Sequence, residues 1–273
     1  VTTLPASLVL VGAGKMGGAM LQGWLALGLE GRCIAVLDPY PSPELTTLSA
    51  GAGVRLNPPS AAMTAPDVLV LAVKPQSFDA AGSSAASLVG EATLVVSIMA
   101  GKTIGDIGAR LPKAGAIVRA MPNLPASIGR GITAAAANGA VTPRARAIAG
   151  ALLSAIGKVE WLDHEGLIDA VTAVSGSGPA YVFYLVECLA AAGAAAGLPA
   201  DLALRLARAT VEGAGELMAR DPASAPARLR ENVTSPGGTT AAALSVLMAP
   251  DGLEKLMTDA VAAAKRRAQE LAG

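Results

Sequence analysis

Short, unbroken apolar runs punctuate the first half of the chain: Ser7-Leu-Val-Leu-Val11, Cys33-Ile-Ala-Val-Leu37, Val68-Leu-Val-Leu-Ala-Val73 and Ala92-Thr-Leu-Val-Val-Ser-Ile98, with a looser one at Ala116-Ile-Val-Arg119. Runs without polar alternation, separated by helical stretches, predict strands buried on both faces of a mostly parallel sheet. Gly129 to Ala137 predicts another strand, followed by a helix from about Thr142 to Ile156 and then Val159-Glu-Trp-Leu162. At Asp163-His164-Glu165-Gly166 the alternation stops, and only helices are expected beyond it. They run from Leu167 to Val174, from Pro179 to the Gly197-Leu198-Pro199 break, onward to about Ala219, over Arg228 to Asn232, after Gly237-Gly238, and from Asp251 to Leu271. The expectation is an α/β domain over 1–162 and an all-helical domain over 163–273.

The first apolar run leads at once into Gly12-Ala-Gly14-Lys15-Met16-Gly17, a G-x-G-x-x-G at the first strand-to-helix junction. In that setting the first glycine permits a tight turn, the second lets backbone approach a pyrophosphate, and the third lets helix and sheet pack closely. The front domain is therefore expected to be a Rossmann-type dinucleotide-binding unit. Asp38 ends the second strand, 21 residues beyond Gly17. An acid there accepts hydrogen bonds from the adenine ribose and repels the extra phosphate of NADP; Asp38-Pro39 could equally be a turn starter. No Arg follows closely to hold a 2′-phosphate, so Asp38 leans weakly to NADH. Ligands of such sheets lie beyond the carboxyl ends of the strands, where the chain breaks at Lys74-Pro75-Gln76, Met99-Ala100-Gly101 and Met121-Pro122-Asn123-Leu-Pro125.

A second glycine-rich turn comes late, in Val233-Thr-Ser-Pro-Gly-Gly-Thr-Thr-Ala-Ala-Ala-Leu244. Pro236, Gly237 and Gly238 break the helical pattern, and Thr239 and Thr240 are cap-type residues before the next helix. A helix start of this kind offers unpaired N–H groups backed by the positive end of the helix dipole, suited to a carboxylate or phosphate. An ordinary capped helix is the plainer alternative.

Composition removes several function classes. The 21 basic and 21 acidic side chains cancel, giving no electrostatic case for nucleic acid or an anionic membrane. The two cysteines, Cys33 and Cys188, are too few and too isolated for a disulfide framework or a zinc site. They fit a reducing cytosol, and a cytoplasmic location is expected; Val1-Thr-Thr-Leu-Pro-Ala lacks the marks of a signal peptide. Pro179 to Pro199 is apolar enough to be weighed as a membrane span, but Glu187, Gly193 and Gly197 interrupt it, so a buried helix is expected. His164, the sole histidine, lies among charged residues at a helix entry, where a cap or surface role is expected. No Cys–His, Ser–His–Asp or metal constellation is evident.

The pattern Pro226-x-x-Leu229-x-x-x-Val233-Thr234-Ser235-x-Gly237-Gly238-x-Thr240-x-x-Ala243-Leu244-x-x-Leu247 resembles the signature of Δ1-pyrroline-5-carboxylate reductases, which make proline by hydride delivery to a cyclic imine. The resemblance spans nearly the whole chain, from the N-terminal glycine loop through Ala72-Val73-Lys74-Pro75-Gln76 to the late Gly-Gly turn. It implies NADPH or NADH as cofactor, with NADPH more often favoured in the family. Gly12, Gly14, Lys15, Met16, Gly17 and Asp38 would hold the dinucleotide, with Ala72, Val73, Lys74, Pro75, Ala100, Gly101 and Asn123 lining the site. The substrate carboxylate would lie on Ser235, Gly237, Gly238, Thr239 and Thr240, with Ser177 nearby and the Thr240 hydroxyl bonded to the ring nitrogen. In the family the helical domains of two subunits intertwine, so that one chain's cofactor domain meets its partner's turn, and higher assemblies occur. A β-hydroxyacid dehydrogenase is the nearest rival, but the helix after Gly176-Ser177-Gly178 lacks the lysine such enzymes use. A catalytically silent nucleotide sensor of the same fold is the other alternative.

Overall fold

The computed structural model describes residues 4–272, the side chain of Ala272 excepted; Val1, Thr2 and Thr3, which open the segment read for a leader, and Gly273 lie outside the described residues. The apolar runs form one eight-stranded sheet: β1 (Leu8–Val11), β2 (Ile34–Leu37), β3 (Arg55–Leu56), β4 (Val68–Leu71), β5 (Leu94–Ser97), β6 (Ile117–Met121), β7 (Gly131–Ala137) and β8 (Gly157–Trp161), in spatial order β3-β2-β1-β4-β5-β6-β7-β8. From β3 to β6 every pairing is parallel, with Leu8 opposite both Ile34 and Val68. β7 runs antiparallel to β6, and β8 follows β7 in parallel.

Each inner strand buries both faces, as its unbroken apolar pattern requires. Leu8 and Leu10 pack with Trp24, Leu152 and Leu153 on one side, while Val9 and Val11 pack with Phe78, Ile107 and Leu111 on the other. Trp24, fully buried on α1 (Lys15–Ala26), donates its ring N–H to Leu152 O at 2.8 Å, so its polar atom is satisfied inside the core. α2 (Pro43–Ala52), α4 (Ile104–Arg110) and α5 (Pro143–Ser154) start at Ser42, Thr103 and Thr142, whose hydroxyls accept an amide of the first turn. α3 (Phe78–Ala86) follows a short 3-10 turn at Pro75–Ser77.

Among the described residues no strand follows Trp161, in accord with the change of pattern at 163. The first compact unit nevertheless runs on to Gly176, and includes the end of the last helix from Lys265; the second is Ser177–Ala264. Packing explains the later division. Arg119, 4% exposed on β6, pairs with Glu165 Oε1 at 2.8 Å, and the same oxygen accepts the Ile104 N–H at 2.8 Å. α6 (Ile168–Val171) buries Ile168 and continues as a π-helical turn, Thr172–Gly176.

In the second unit, α7 (Gly178–Ala195) packs on α8 (Ala200–Arg220), and the bare Cα of Gly193 lets Ala203 approach: a β-carbon there would lie 3.2 Å from Ala203 Cβ. α9 (Pro226–Asn232), α10 (Thr239–Leu247) and α11 (Leu253–Ala272) complete it. The buried helix expected at Pro179 is not buried by its own chain. α7 has no buried residue, and Phe183 and Tyr184 are 56% and 66% exposed. Its apolar surface exceeds what α8 alone covers.

Removing one partner of the Arg119–Glu165 pair leaves a buried guanidinium uncompensated. Glu165→Ala should therefore cost about 3 kcal/mol, whereas Arg119→Met with Glu165→Met should recover most of that loss. Urea denaturation measures both; a loss below about 1 kcal/mol for Glu165→Ala would contradict the pairing.

Candidate functional site

In the glycine loop between β1 and α1, Gly12 and Gly17 exclude a side chain, and Gly14 does not. Gly12 has φ +85°, and a β-carbon there would lie 2.8 Å from Val73 Cγ1 and 2.9 Å from Ala72 O. At Gly17 a β-carbon would meet Gly12 O at 2.4 Å, so this glycine allows helix and loop to touch. Gly14 differs: nothing lies within 4 Å of its would-be β-carbon. It is exposed, is the N-cap of α1, and no side chain caps that helix end. Its bare backbone faces open space beside the amides of Lys15 and Met16, as a cradle for a dinucleotide pyrophosphate requires. A cleft of about 650 Å³ opens here against Met16, Ala19, Leu45 and Leu124.

Asp38 stands at the carboxyl end of β2, next to this loop. Its Oδ2 accepts the Ala13 N–H at 2.8 Å and its Oδ1 accepts the Tyr40 N–H at 2.9 Å. It starts the expected turn, and its carboxylate also reaches the glycine loop. A second cleft, of about 580 Å³, is bounded by Asp38, Tyr40, Asn57, Val73, Ala81 and Leu88. It has the apolar walls and single acid that an adenosine would need. Neither Ala13 nor Asn57 was singled out by sequence pattern, since each is joined to Asp38 only through space. Glu44, at the start of α2, is held below its usual carboxyl pKa by the Ser42 hydroxyl and lines the 650 Å³ cleft.

Ala72, Val73, Lys74 and Pro75 follow β4, and Ala100 and Gly101 follow β5, all at the same sheet edge as the glycine loop. Ala72 and Val73 touch the loop directly through Gly12 and Gly17. Lys74 is exposed, and Gly101 turns the chain with φ +69°. The Oδ1 of Asn123 accepts the Ile132 N–H at 3.0 Å and its Nδ2 donates to Ser175 O at 3.1 Å. The side chain thereby ties β7 and the π-helical turn to the end of β6. The Ser175 hydroxyl is likewise taken, donating to Val171 O at 3.1 Å. His164 is exposed and caps nothing with its side chain. Among the described residues no cluster of three or more His, Cys, Asp or Glu is arranged to hold a metal.

In the second unit the late turn is built on Gly237, with φ +70°, and on a Gly238 N–H bond to Ser235 O at 3.0 Å. The helix cap differs from expectation: Gly238 is the N-cap of α10, and Thr239 and Thr240 are its first two helical residues. The Gly238 amide, assigned above to a carboxylate, is engaged inside the turn. The amides of Thr239 and Thr240 fall in the first turn of α10, where helix geometry provides no acceptor, and no side chain caps this end. A β-carbon at Gly238 would lie 2.4 Å from Ser235 Oγ, so only glycine leaves that hydroxyl where it is. Ser177, the residue before α7, is half-buried and its side chain caps no amide.

Comparison with known proteins agrees with both halves. A family model described as pyrroline-5-carboxylate reductase dimerisation matches residues 165–271, and one described as NADP oxidoreductase, coenzyme F420-dependent, matches residues 7–101. A pyrroline-5-carboxylate reductase of Synechocystis is 48% identical over 221 residues, 80% of this chain and 80% of its own length. The structure of a pyrroline-5-carboxylate reductase from Coxiella burnetii superposes with TM-score 0.89 at 34% identity, covering 98% of this chain and 99% of that one. A Plasmodium falciparum pyrroline carboxylate reductase with NADP bound follows at TM-score 0.78 and 26% identity, covering 98% of each chain.

The contrast between Gly14 and Gly17 is testable. Gly14→Ala should keep stability within about 1 kcal/mol of wild type while weakening NAD(P)H binding at least about tenfold, because its methyl group occupies the ligand's side of the loop. Gly17→Ala should lose stability and binding together. Thermal melts paired with fluorescence titration separate the two, and unchanged affinity in Gly14→Ala would contradict the assignment.

Proposed function

This chain belongs to the pyrroline-5-carboxylate reductase family, and on that premise we propose how its residues divide the work. It is an oxidoreductase that reduces the cyclic imine Δ1-pyrroline-5-carboxylate to L-proline with a pyridine nucleotide. The C=N bond gains a hydride at carbon and a proton at nitrogen; an imine that enters already protonated needs no strong general acid. The nicotinamide, when bound, supplies the hydride.

The work left to the protein is orientation, which can contribute several kcal/mol. In this reading the open face of Gly14 and the first amides of α1 take the pyrophosphate. The amides of Thr239 and Thr240 take the substrate carboxylate, the Ser235 hydroxyl assists, and the Thr240 hydroxyl bonds the ring nitrogen. The observation that carries the substrate assignment is the uncapped start of α10, where Gly238 is already bonded to Ser235 O and the next two amides are not.

Asp38 favours NADH over NADPH in the same reading, because a 2′-phosphate placed beside it would meet negative charge. The match of the helical domain to a dimerisation model supports a homo-oligomer. We take its form to be an intertwined homodimer in which the turn of one chain serves the dinucleotide of its partner. The exposed apolar side chains of α7, including Val182, Phe183, Leu185 and Leu189, support this. The unpaired Cys33 and Cys188 support a cytosolic setting.

Two variants check the roles. Thr240→Ala should lower kcat/KM for the imine by about 100-fold with NAD(P)H affinity nearly intact; wild-type turnover would remove the role. Asp38→Ser should move the NADPH-to-NADH ratio of kcat/KM toward NADPH by about tenfold. An unchanged ratio would mean that Asp38 does not face the ribose.

A further inference from the structure

Asn57 is the one non-glycine residue with positive φ among the described residues, at +48°. It directly follows β3, and its backbone N–H donates to Val36 O at 2.8 Å, prolonging the ladder with β2. Its side chain then does what another strand's peptide would do. Oδ1 accepts the Asp38 N–H at 2.9 Å, and Nδ2 donates to Asp38 O at 2.7 Å. Both backbone groups of Asp38 are thereby held by one amide. Asparagine suits the position twice over, since it tolerates the left-handed region and carries the needed donor and acceptor on a short arm.

The carboxylate of Asp38 is fixed as firmly as its backbone, by the Ala13 amide on one oxygen and the Tyr40 amide on the other. Each oxygen has a second lone pair, so the carboxylate can still accept two hydroxyl groups of a ribose. An unrestrained aspartate could swing toward solvent and let a 2′-phosphate settle beside it. A clamped one has to stay and repel it. Asn57 itself borders the same 580 Å³ cleft.

We propose that Asn57 is a positioning residue that sets the discrimination between NADH and NADPH by holding Asp38 against the glycine loop. This rests on the role given to Asp38 above. Glycine adopts positive φ without strain, so Asn57→Gly removes the clamp and spares the turn.

The test is a double-mutant cycle of Asn57→Gly and Asp38→Ser, with dissociation constants for NADH and NADPH read by fluorescence on the intact enzyme. Asn57→Gly should weaken NADH about tenfold without weakening NADPH comparably, so that the ratio falls. In the Asp38→Ser background the same substitution should move the ratio by less than about twofold. Asn57→Ala, with left-handed strain added, should give the same ratio as Asn57→Gly. Equal weakening of both cofactors, or a ratio change that persists without the Asp38 carboxylate, would overturn the proposal. If Asp38→Ser shifts the ratio and Asn57→Gly does not, the Asn57 inference alone fails. If Asp38→Ser leaves the ratio fixed, the reading of Asp38 fails and takes this one with it.

Discussion

Backbone amides left without acceptors at the starts of two helices are the constraint around which this molecule is arranged. α1 begins at Gly14 and α10 at Gly238, and at neither is a side chain available to cap the first turn. In the front unit α2, α4 and α5 close such ends with Ser42, Thr103 and Thr142, whereas α3 and α6, like α1, have no side-chain cap. An uncapped end costs stability unless water or a ligand supplies the acceptor. At Gly238 a Cβ would lie 2.4 Å from the Ser235 hydroxyl, whereas at Gly14 nothing lies within 4 Å of one, and neither glycine has a side chain with which to close its helix end.

The rest of the fold holds these two ends in form. The parallel register of β1 with β2 and β4 sets Asp38 and Ala72 on either side of the glycine loop. Asp38 reaches across to the Ala13 amide, and Ala72 and Val73 press on Gly12 and Gly17. At the other end of the unit, Arg119, Glu165 and Asn123 bind the π-helical turn to β6. These are polar groups spent on position. In the helical unit, by contrast, small residues such as Gly193 and Ala203 allow α7 and α8 to approach, and apolar side chains of α7 such as Phe183 stay exposed.

β8, whose positions alternate half-buried and exposed, showed only as the short stretch Val159 to Leu162, while six other strands were legible as apolar runs, because strands buried on both faces leave little room for polar residues. β3 was not: two residues, Arg55 and Leu56, carry no pattern. Nor was the reversed direction of β7 legible, since an apolar run reads the same both ways. The glycine loop was legible position by position because its constraints are local. The structural bonds of Asn123 were not legible, because its partners are 9 and 52 residues away. The cap of α10 was placed one residue late for a related reason. Threonine has the stronger intrinsic preference for a cap, but the turn through Gly237 fixes the helix start at Gly238. Asn57 gave no signal, its role being visible only once β2 and β3 lie side by side.

Two bound anions, one at each glycine-started helix, are the heart of this account. A crystal structure of the protein with L-proline and a dinucleotide tests it most directly. The proline carboxylate is predicted within hydrogen-bonding distance of the Thr239 and Thr240 amides, and the pyrophosphate against Gly14. A carboxylate held elsewhere, with those two amides facing only solvent, would contradict it.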